Sequence, residues 1–252
     1  MATIGIIGGS GLDDPKILTN PSDLEMETPF GSPSSPLRKG RIGDSEAILL
    51  ARHGRSHTIP PSQVNNRANL WALREAGVTH IISTTAVGSL REEIQPGELA
   101  ILDQFIDFTR HRTTTYYEEF TPGDLKHTPM ADPFSGPLRG EIISACGDLG
   151  IACHERATVL TVEGPRFSTR AESHMFRAWG ADVINMSIAP ECALANELGI
   201  PYASIAMATD YDCWKEDEEP VTWEAVLRTF EENAEKVTRL LVEVIARVGV
   251  GS

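Results

Sequence analysis

Short apolar runs alternate with amphipathic stretches along most of this chain. Apolar runs bounded by Gly, Pro or polar residues are typical of buried strands, and apolar positions three or four apart are typical of helices. The pattern predicts helices over residues 63–76, 138–149, 170–180, 191–198 and 223–248. It predicts strands over residues 4–7, 46–52, 78–86, 98–105, 157–162, 182–186 and 202–207.

Residues at the ends of these segments support the predicted helices. Gly77 and Gly150 follow helical patterns at the place where a left-handed residue ends many helices. Thr169 and Glu172 have the spacing of a capping box, and Thr222 is suited to cap the last helix. The apolar stripe of that helix comprises Trp223, Val226, Leu227, Phe230, Val237, Leu241, Val244 and Val248.

The alternation of strands and helices over the whole length predicts one α/β domain, residues 1–252, around a central sheet. Two segments, residues 19–37 and 108–137, lack either periodicity and are predicted to be long loops. Loops of that length in a compact domain are usually functional or lie at an interface.

Charge and cysteine content narrow the possible partners and the compartment. The net charge of −14 disfavours nucleic acid and anionic membranes, which require a basic face. No apolar run is long enough to span a bilayer. The four cysteines form no CxxC pair and no secretory signal is recognisable, so we expect a reduced, cytoplasmic setting.

Two carboxylates directly follow the last predicted strand. Residues i and i+2 of an extended chain point to the same side, so Asp210 and Asp212 are expected to face one pocket. In a dry pocket, two close acids do not both ionise easily, and one keeps its proton near neutral pH. The same spacing also fits a turn acid followed by a helix-capping acid.

Donor-rich residues follow several other strands, where α/β folds bind their ligands. The glycine-rich segment 5–11 contains Ser10, and Arg52 and His53 follow the second predicted strand. Thr85 and Ser187 stand at two further strand ends. Each element alone fits a plain turn or a solvated basic surface, but together they indicate a site for one small anion. Phe167 can stack on a flat ligand, although burial in the core is the commoner fate of Phe.

Several other chemistries fit poorly. Asp14 occupies the place of the third glycine of a dinucleotide fingerprint, and no Gly-Lys-Ser/Thr completes a P-loop. The chain also lacks a G-x-S-x-G elbow, a closely spaced set of Cys and His, and a recognisable activating motif around any cysteine.

Eight long motifs follow one another along the chain: GIIGGSGLDD, LLARHGR, NLWALREAG, TTAVGSLREEIQPGE, DQFIDFT, VEGPRFSTRAE, WGADVINMS and ASIAMATDYDCWKE. In sequence and order they resemble the motifs of the methylthioadenosine phosphorylases, within the trimeric purine nucleoside phosphorylase family. The resemblance covers nearly the whole chain and implies a mixed central sheet, partly closed into a barrel and flanked by helices. It also implies a homotrimer (a hexamer is possible) with active sites at subunit interfaces, no cofactor or metal, and inorganic phosphate as co-substrate.

The resemblance assigns roles to individual positions. It implies phosphate binding by Ser10, Arg52, His53, Thr85, the backbone of Ala86, and Ser187. It implies nucleoside binding by Phe167, Ser168, Asn185, Met186, Asp210 and Asp212. It implies a pocket for the 5′ substituent formed by His57, Trp223, Val226, Leu227 and, from a neighbouring subunit, His127.

The implied reaction is phosphorolysis of S-methyl-5′-thioadenosine to adenine and 5-methylthioribose 1-phosphate, with Asp210 as the acid at purine N7. Relatives acting on 6-oxopurines typically carry Asn at position 210 and Glu at position 168, so Asp210 and Ser168 favour adenine. The alternatives are a phosphorylase for adenosine, inosine, guanosine or methylthioinosine, and a non-catalytic nucleoside or phosphate sensor. Family members commonly have a small aliphatic residue at position 223; Trp223 therefore either narrows the 5′ pocket or belongs to the core.

Overall fold

The computed structural model describes residues 2–9, 17–217 and 222–250, with the side chain of Val250 excluded. The strands are β1 (Thr3–Gly8), β2 (Thr19–Leu24), β3 (Leu37–Ile42), β4 (Ser45–Ala51), β5 (His80–Ser89), β6 (Leu99–Ile101), β7 (Gln104–Phe108), β8 (Cys153–His154), β9 (Thr158–Val162), β10 (Val183–Asn185) and β11 (Tyr202–Asp210). The helices are α1 (Asn66–Glu75), α2 (Gly136–Leu149), α3 (Arg170–Ala178), α4 (Ile188–Glu197) and α5 (Trp223–Val250), and a 3₁₀ turn spans Pro61–Gln63.

The eleven strands of the described residues form one mixed sheet that branches at β5. The main path runs β2-β3-β4-β1-β5-β10-β9-β7, while β11 pairs with both β5 and β6, and β6 also pairs with β8. Strands β4, β1, β5 and β11 lie side by side in this order and run parallel. Strand β10 runs antiparallel to β5. The expected mixed central sheet is thus present, and strand pairing within the described residues leaves the sheet open.

Helices cover both faces of the sheet, which explains the continuous apolar runs of its strands. Alternate residues of β1 face opposite cores: Ile7 packs with α1 and α4, and Ile4 and Ile6 pack with α2 and α5. Phe176 of α3 belongs to a third, smaller cluster. The first strand, β1, therefore lies between both helix layers, and the last helix, α5, forms part of one of them.

The predicted helix caps are confirmed. Thr169 and Glu172 form the reciprocal capping box of α3, and the Thr222 hydroxyl accepts a hydrogen bond from Ala225 N. Gly150 is left-handed at the end of α2, with φ 66°. These helix boundaries depend on residues within one turn of the helix end, so the sequence predicts them.

Two predictions about the strands were wrong. The strand predicted over 98–105 is two strands, β6 and β7, because the chain turns at residues 102–103 to join different neighbours. The loop predicted over 19–37 begins with β2, an exposed edge strand paired with β3. Its sequence is polar because neither face is buried, and backbone pairing alone does not produce a hydrophobic pattern. Among the described helices, none is long and apolar enough to cross a membrane.

Candidate active site

A cavity of about 430 Å³ lies at the ends of five strands of the sheet. It is lined by residues following β4 and β9, the last residues of β5 and β11, and the residues around the end of β10. The first turn of α5 closes one side. Most of the residues predicted from the sequence to form a site are therefore brought together. The predicted site residues that line the cavity are Arg52, His53, His57, Thr85, Ala86, Phe167, Ser168, Asn185, Met186, Ser187, Asp210, Asp212, Trp223 and Val226.

The acid pair stands at one end of this cavity. Asp210 is the last residue of β11, and Asp212 follows in a left-handed conformation with φ 51°. Asp212 N donates to Asp210 Oδ1 at 2.7 Å, and Thr209 Oγ1 donates to Asp210 Oδ2 at 2.8 Å. Both carboxylates line the cavity as predicted, but a turn held by the first carboxylate, rather than an extended strand, brings the second one beside it.

Burial raises the pKa of both acids. The pKa of Asp210 rises from 3.8 to about 6, mainly because the protein replaces water around the carboxylate, and the charge of Asp212 adds to the shift. Burial also raises the pKa of Asp212. Asp210 is therefore half protonated at about pH 6 and keeps a minor protonated fraction at pH 7, far more than an acid with a pKa of 3.8 would keep.

Two polar atoms of residues near the acid pair, Asp212 Oδ2 and Ser168 Oγ, are buried and form no hydrogen bond of regular geometry inside the described part of the chain, although the Ser173 hydroxyl lies close enough to Asp212 to lower its pKa. Both residues line the cavity. Because buried polar groups are rarely left unpaired, a ligand with polar edges is the natural partner for these atoms.

Gly88 of β5 lies directly beneath the acid pair. A Cβ at this position would lie 3.0 Å from Asp210 Oδ1 and 3.3 Å from Asp212 Cβ. The pairing of β5 with β11 is irregular here, between Ala208 and Asp210. The missing side chain therefore allows the strand to place both acids against β5.

Arg52 occupies the opposite end of the cavity and is 1% exposed. Its guanidinium forms a two-pronged ion pair with Glu191 of α4, through Nε and Oε1 and through Nη2 and Oε2, the latter at 3.1 Å. Arg52 Nη1 also donates to the Thr84 carbonyl at 3.0 Å. The Tyr202 hydroxyl lies 2.8 Å from Glu191 Oε2, so the carboxylate is itself held in place. The paired geometry fixes the plane of the guanidinium.

The glycine-rich segment makes room for this arginine. A Cβ on Gly9 would lie 2.4 Å from Arg52 Nη1 and 2.9 Å from the Thr84 carbonyl oxygen. Gly9 N also donates to Thr84 Oγ1 at 3.4 Å. A glycine is therefore required where β1 passes the guanidinium, whereas Ser10 lies outside the described residues.

Three small polar side chains form a cluster beside Arg52. Asn185 Nδ2 donates to Thr85 Oγ1 at 3.2 Å and to Ser187 Oγ at 3.4 Å. All three residues are buried and line the cavity. The antiparallel pairing of β10 with β5 brings residues 185–187 back alongside Thr85. Two hydroxyls beside a fixed guanidinium form a compact pocket suited to a tetrahedral oxyanion.

The middle of the cavity is lined by Met186 and by Phe167, which is 41% exposed. Phe167 thus lies at the cavity surface and not in the core. Gly164 has φ 66°, and a Cβ on it would lie 2.5 Å from Met186 Sδ, so the loop after β9 packs tightly on this methionine. Arg112, from the long segment after β7, donates to the Met186 carbonyl at 2.5 Å and pairs with Glu163.

A stack of three rings forms one rim. The rings of His53 and His57 are 4.5 Å apart, and those of His57 and Trp223 are 5.3 Å apart. His53 Nδ1 lies 2.8 Å from the Ile59 carbonyl oxygen, which can only accept, so this nitrogen carries a proton. Trp223 is 40% exposed and lines the cavity with Val226. Trp223 is therefore a rim residue of the cavity and not part of the core.

Two other predicted residues are not part of this cavity. Leu227 is half-buried and faces away from the lining, although its neighbour Val226 takes part. His127 lies on the exposed segment after β7, with its ring 5.4 Å from that of Phe120. Sequence reasoning also missed Glu191 and Gly88. A charged residue within the apolar pattern of α4 and a glycine inside a strand were the available signals.

No group of three or more His, Cys, Asp or Glu side chains is arranged to hold a metal ion within ranges 2–9, 17–217 and 222–250. The four cysteines are all free. The cavity thus combines an oxyanion pocket, an apolar middle and a pair of acids with raised pKa values.

Comparison with known proteins gives a consistent result. The sequence pattern of the phosphorylase superfamily matches residues 3–246. The S-methyl-5′-thioadenosine phosphorylase of Danio rerio is 54% identical over 247 residues, covering 97% of this chain and 88% of that protein. The corresponding Xenopus tropicalis enzyme is 56% identical over 249 residues, with the same coverage.

Solved structures agree in fold and sequence. A methylthioadenosine phosphorylase from Schistosoma mansoni in complex with adenine has a TM-score of 0.95 and 42% identity, covering all of this chain and 93% of that one. A mutant of the adenosine/methylthioadenosine phosphorylase from the same organism, in complex with methylthioadenosine, has a TM-score of 0.93, 42% identity and the same coverage. Because the superfamily pattern matches residues 3–246 and relatives more than 50% identical cover 97% of this chain, the chain belongs to the phosphorylase superfamily.

Proposed function

We propose that this chain catalyses the phosphorolysis of S-methyl-5′-thioadenosine, giving adenine and 5-methylthioribose 1-phosphate. The observation that carries the proposal is the pairing, within one cavity, of the oxyanion pocket around Arg52 with the raised-pKa acid Asp210. The relatives from Danio rerio and Xenopus tropicalis bear the name of this activity. Inorganic phosphate is the co-substrate, and no cofactor is required.

Each end of the cavity has a distinct task in this reaction. Phosphate binds between Arg52, His53, Thr85, Ala86 and Ser187, with Ser10 as a further proposed ligand. One phosphate oxygen forms a bond to C1′ of the ribose as the bond from C1′ to N9 breaks. Positive charge develops on the ribose ring during this step, and the adjacent phosphate dianion stabilises it.

The departing adenine takes the electron pair of the broken bond. A proton delivered to N7 neutralises that charge, and Asp210 is the donor because its pKa of about 6 leaves it partly protonated near neutral pH. Asp212, whose buried Oδ2 forms no hydrogen bond of regular geometry in the described chain, accepts from the 6-amino group. This donor and acceptor pattern favours adenine over 6-oxopurines. The purine stacks on Phe167 beside Ser168 and Asn185, and Met186 lies beneath the ribose.

The rim formed by His57, Trp223 and Val226 receives the 5′ substituent. Its aromatic and aliphatic surface suits a methylthio group better than a hydroxyl group, because the methylthio group gains more from leaving water. Leu227 is proposed to support this rim from behind, since it does not line the cavity.

Adenosine is the second candidate substrate. A structurally similar protein from Schistosoma mansoni is named an adenosine/methylthioadenosine phosphorylase. The two nucleosides differ only in their 5′ substituent, so the 5′ pocket, with Trp223 at its rim, must distinguish them.

We further propose that the chain acts as one domain in a cytoplasmic homotrimer. One sheet carries every described strand, and the cavity collects residues from β4 through α5. The exposed segment with Phe120, Leu125 and His127 supports the assembly, since 46% and 63% exposure of the first two leaves apolar surface for a second copy. His127 would then complete the 5′ pocket of a neighbouring subunit.

The activity is tested by incubating the purified protein with methylthioadenosine, adenosine or inosine, with and without inorganic phosphate, and measuring the free base by chromatography. We expect phosphate-dependent release of adenine, fastest from methylthioadenosine. Release of base without phosphate would indicate a hydrolase. Binding without release would indicate a sensor, and either result would contradict the proposal.

A further inference from the structure

We propose that Thr161, a buried residue outside the cavity, is a positioning residue for the phosphate pocket. The proposal rests on the phosphorolysis proposed above. It concerns how the hydroxyl groups of the oxyanion pocket are held in position. Thr161 directly precedes Val162, the last residue of β9, and Val162 lines the cavity whereas Thr161 does not. Thr161 is 0% exposed.

The Thr161 hydroxyl joins two structures that meet at the pocket. It accepts a hydrogen bond from Ala189 N at 3.1 Å and donates to Asn185 Oδ1 at 2.8 Å. A backbone N–H can only donate, so the first contact assigns the hydroxyl's own proton to Asn185. The parallel register of β9 and β10, with Thr161 opposite Asn185, places the two side chains side by side.

The first contact replaces an ordinary helix cap. Ser187 is the N-cap residue of α4, and such a serine normally accepts from an N–H of the first turn. Here the Ser187 side chain makes no capping hydrogen bond, and Thr161 accepts from the second helical residue instead. The Ser187 hydroxyl is thereby released from capping and lines the cavity.

The second contact sets the direction of the remaining hydrogen bonds. Ser187 N also donates to Asn185 Oδ1, at 3.4 Å, which fixes the amide with its NH₂ group towards the pocket. That NH₂ group donates to Thr85 Oγ1 and Ser187 Oγ. These contacts hold both hydroxyl oxygens in place beside the cavity, while the Thr85 hydroxyl donates its own proton to the Ala86 carbonyl at 3.1 Å. Asn185 thereby fixes the shape of the pocket that receives the anion.

The consequence is a one-way relay from Thr161 through Asn185 to the two hydroxyls that face phosphate. Without the Thr161 hydroxyl, Ala189 N–H lacks its acceptor and the Ser187 side chain is the nearest replacement. Ser187 would turn to cap its own helix, and the amide of Asn185 would lose one of the two contacts that orient it. Phosphate binding would suffer, while the nucleoside contacts of Phe167 and Asp212 would not.

The test compares Thr161→Val, which keeps the shape and removes the hydroxyl, with Thr161→Ser, which keeps the hydroxyl. Thr158→Val, on the same strand and outside the cavity lining, is the matched control. We expect Thr161→Val to raise the KM for phosphate about 10-fold, the equivalent of one hydrogen bond, with the KM for nucleoside changed less than about twofold. Thr161→Ser and Thr158→Val should stay within about twofold of the wild type in both constants.

Calorimetric titration with inorganic phosphate gives a readout independent of turnover, and it should show the same loss for Thr161→Val alone. Equal rises in both KM values, or an unchanged phosphate KM, would overturn the relay. Failure of Thr161→Ser to restore phosphate binding would do the same. If the wild-type protein neither uses nor binds phosphate, the proposed function itself fails, which is a different result.

Should Thr161→Val fail to fold, Asn185→Leu tests the same relay from its other end. Because Asn185 also lies beside the proposed purine site, the readout in this variant is calorimetric titration with inorganic phosphate in the absence of nucleoside. The relay predicts weaker phosphate binding, and unchanged phosphate affinity would overturn it.

Discussion

At the scale of single residues, the chemistry depends on where water is excluded. Asp210 and Asp212 are ordinary acids in the sequence, and burial beside one another raises the pKa of both. Arg52, in contrast, keeps its charge in a buried position because Glu191 compensates it. The same cavity therefore combines, at different places, an acid that still carries a proton in part of the molecules near neutral pH and a compensated cation.

The raised pKa of Asp210 predicts a pH-dependent cost in stability. An acid with a folded pKa of about 6 and an unfolded pKa of 3.8 destabilises the folded state progressively as pH rises between these values. The full cost of about 3 kcal/mol is reached above pH 6. Asp210→Asn should therefore raise Tm relative to wild type at pH 8 and have little effect at pH 3.5.

The check is a pair of thermal unfolding series on the two proteins from pH 3.5 to 8. A difference in Tm that does not change with pH would contradict the assigned titration. In parallel, kcat/KM for methylthioadenosine should fall above about pH 6 in the wild type, and Asp210→Asn should lose about 100-fold or more at its optimum.

The position of Trp223 at the rim predicts that this residue helps to discriminate methylthioadenosine from adenosine. Its indole stacks on His57 at the rim, so Trp223→Val removes apolar surface from the 5′ pocket. We expect the ratio of kcat/KM for methylthioadenosine over adenosine to change by a factor that corresponds to about 1–3 kcal/mol of transition-state binding energy, the range for one apolar contact. Trp179→Val, at an exposed tryptophan packed on Phe108 and Phe176, is the control and should leave the ratio unmoved. An unchanged ratio in Trp223→Val would place 5′ selectivity elsewhere.

At the scale of elements, strand and helix ends bring the site together. Strand β5 places Thr85 and Ala86 at the oxyanion pocket and Gly88 beneath the acids, because β11 pairs along it up to Gly88 while β10 pairs with its last two residues. Helix α4 begins at the oxyanion pocket and carries Glu191 one turn later, so the same helix organises two sides of Arg52 and its neighbours. A small shift of either element moves several functional groups together.

Gly88→Ala tests the packing of β5 against the acid pair. The added methyl group would sit 3.0 Å from Asp210 Oδ1 and 3.1 Å from Ile184 Cγ2, closer than an ordinary contact. We expect kcat to fall about 10-fold or more through displacement of Asp210, since small misplacements of a catalytic group have large effects on rate. Gly140→Ala, in α2 with nothing within 4 Å of the added Cβ, is the control. Loss of stability with kcat preserved would show that the acids accommodate the methyl group.

At the scale of the whole molecule, the cavity of a single copy opens to solvent beside the exposed rings of Phe167 and Trp223. Phe167 and Trp223 are each about two-fifths exposed, and Phe120, Leu125 and His127 project from the segment after β7. Apolar residues exposed both at a site and on a distant segment are typical of subunits that complete one another.

A complementation experiment tests this arrangement. If His127 acts in the site of a neighbour, assemblies that mix Asp210→Asn and His127→Ala subunits contain some sites with both native residues. Co-expressed mixed assemblies, confirmed by mass, should then exceed the average activity of the two parents by several-fold. Activity equal to that average would place His127 outside the neighbouring site.

The sequence by itself determined what local chemistry and long motifs specify. The apolar runs of the buried strands, the capping box of Thr169 and the glycine after α2 fixed most elements, because each signal lies within a few residues. The motifs around Arg52, Phe167 and Asp210 indicated the superfamily and most of the cavity lining. The polar edge strand β2 escaped prediction because backbone pairing leaves no hydrophobic pattern.

Tertiary structure alone decided which polar groups meet and how they are poised. Glu191 reaches Arg52 across 139 positions, and Thr161 reaches Ala189 across 28, so no spacing rule connects them. The pKa of Asp210, the left-handed turn at Asp212 and the rim position of Trp223 likewise depend on neighbours brought together by the sheet. Residue types provide the possible chemistry, while burial and long-range packing determine which protonation state and orientation each group adopts.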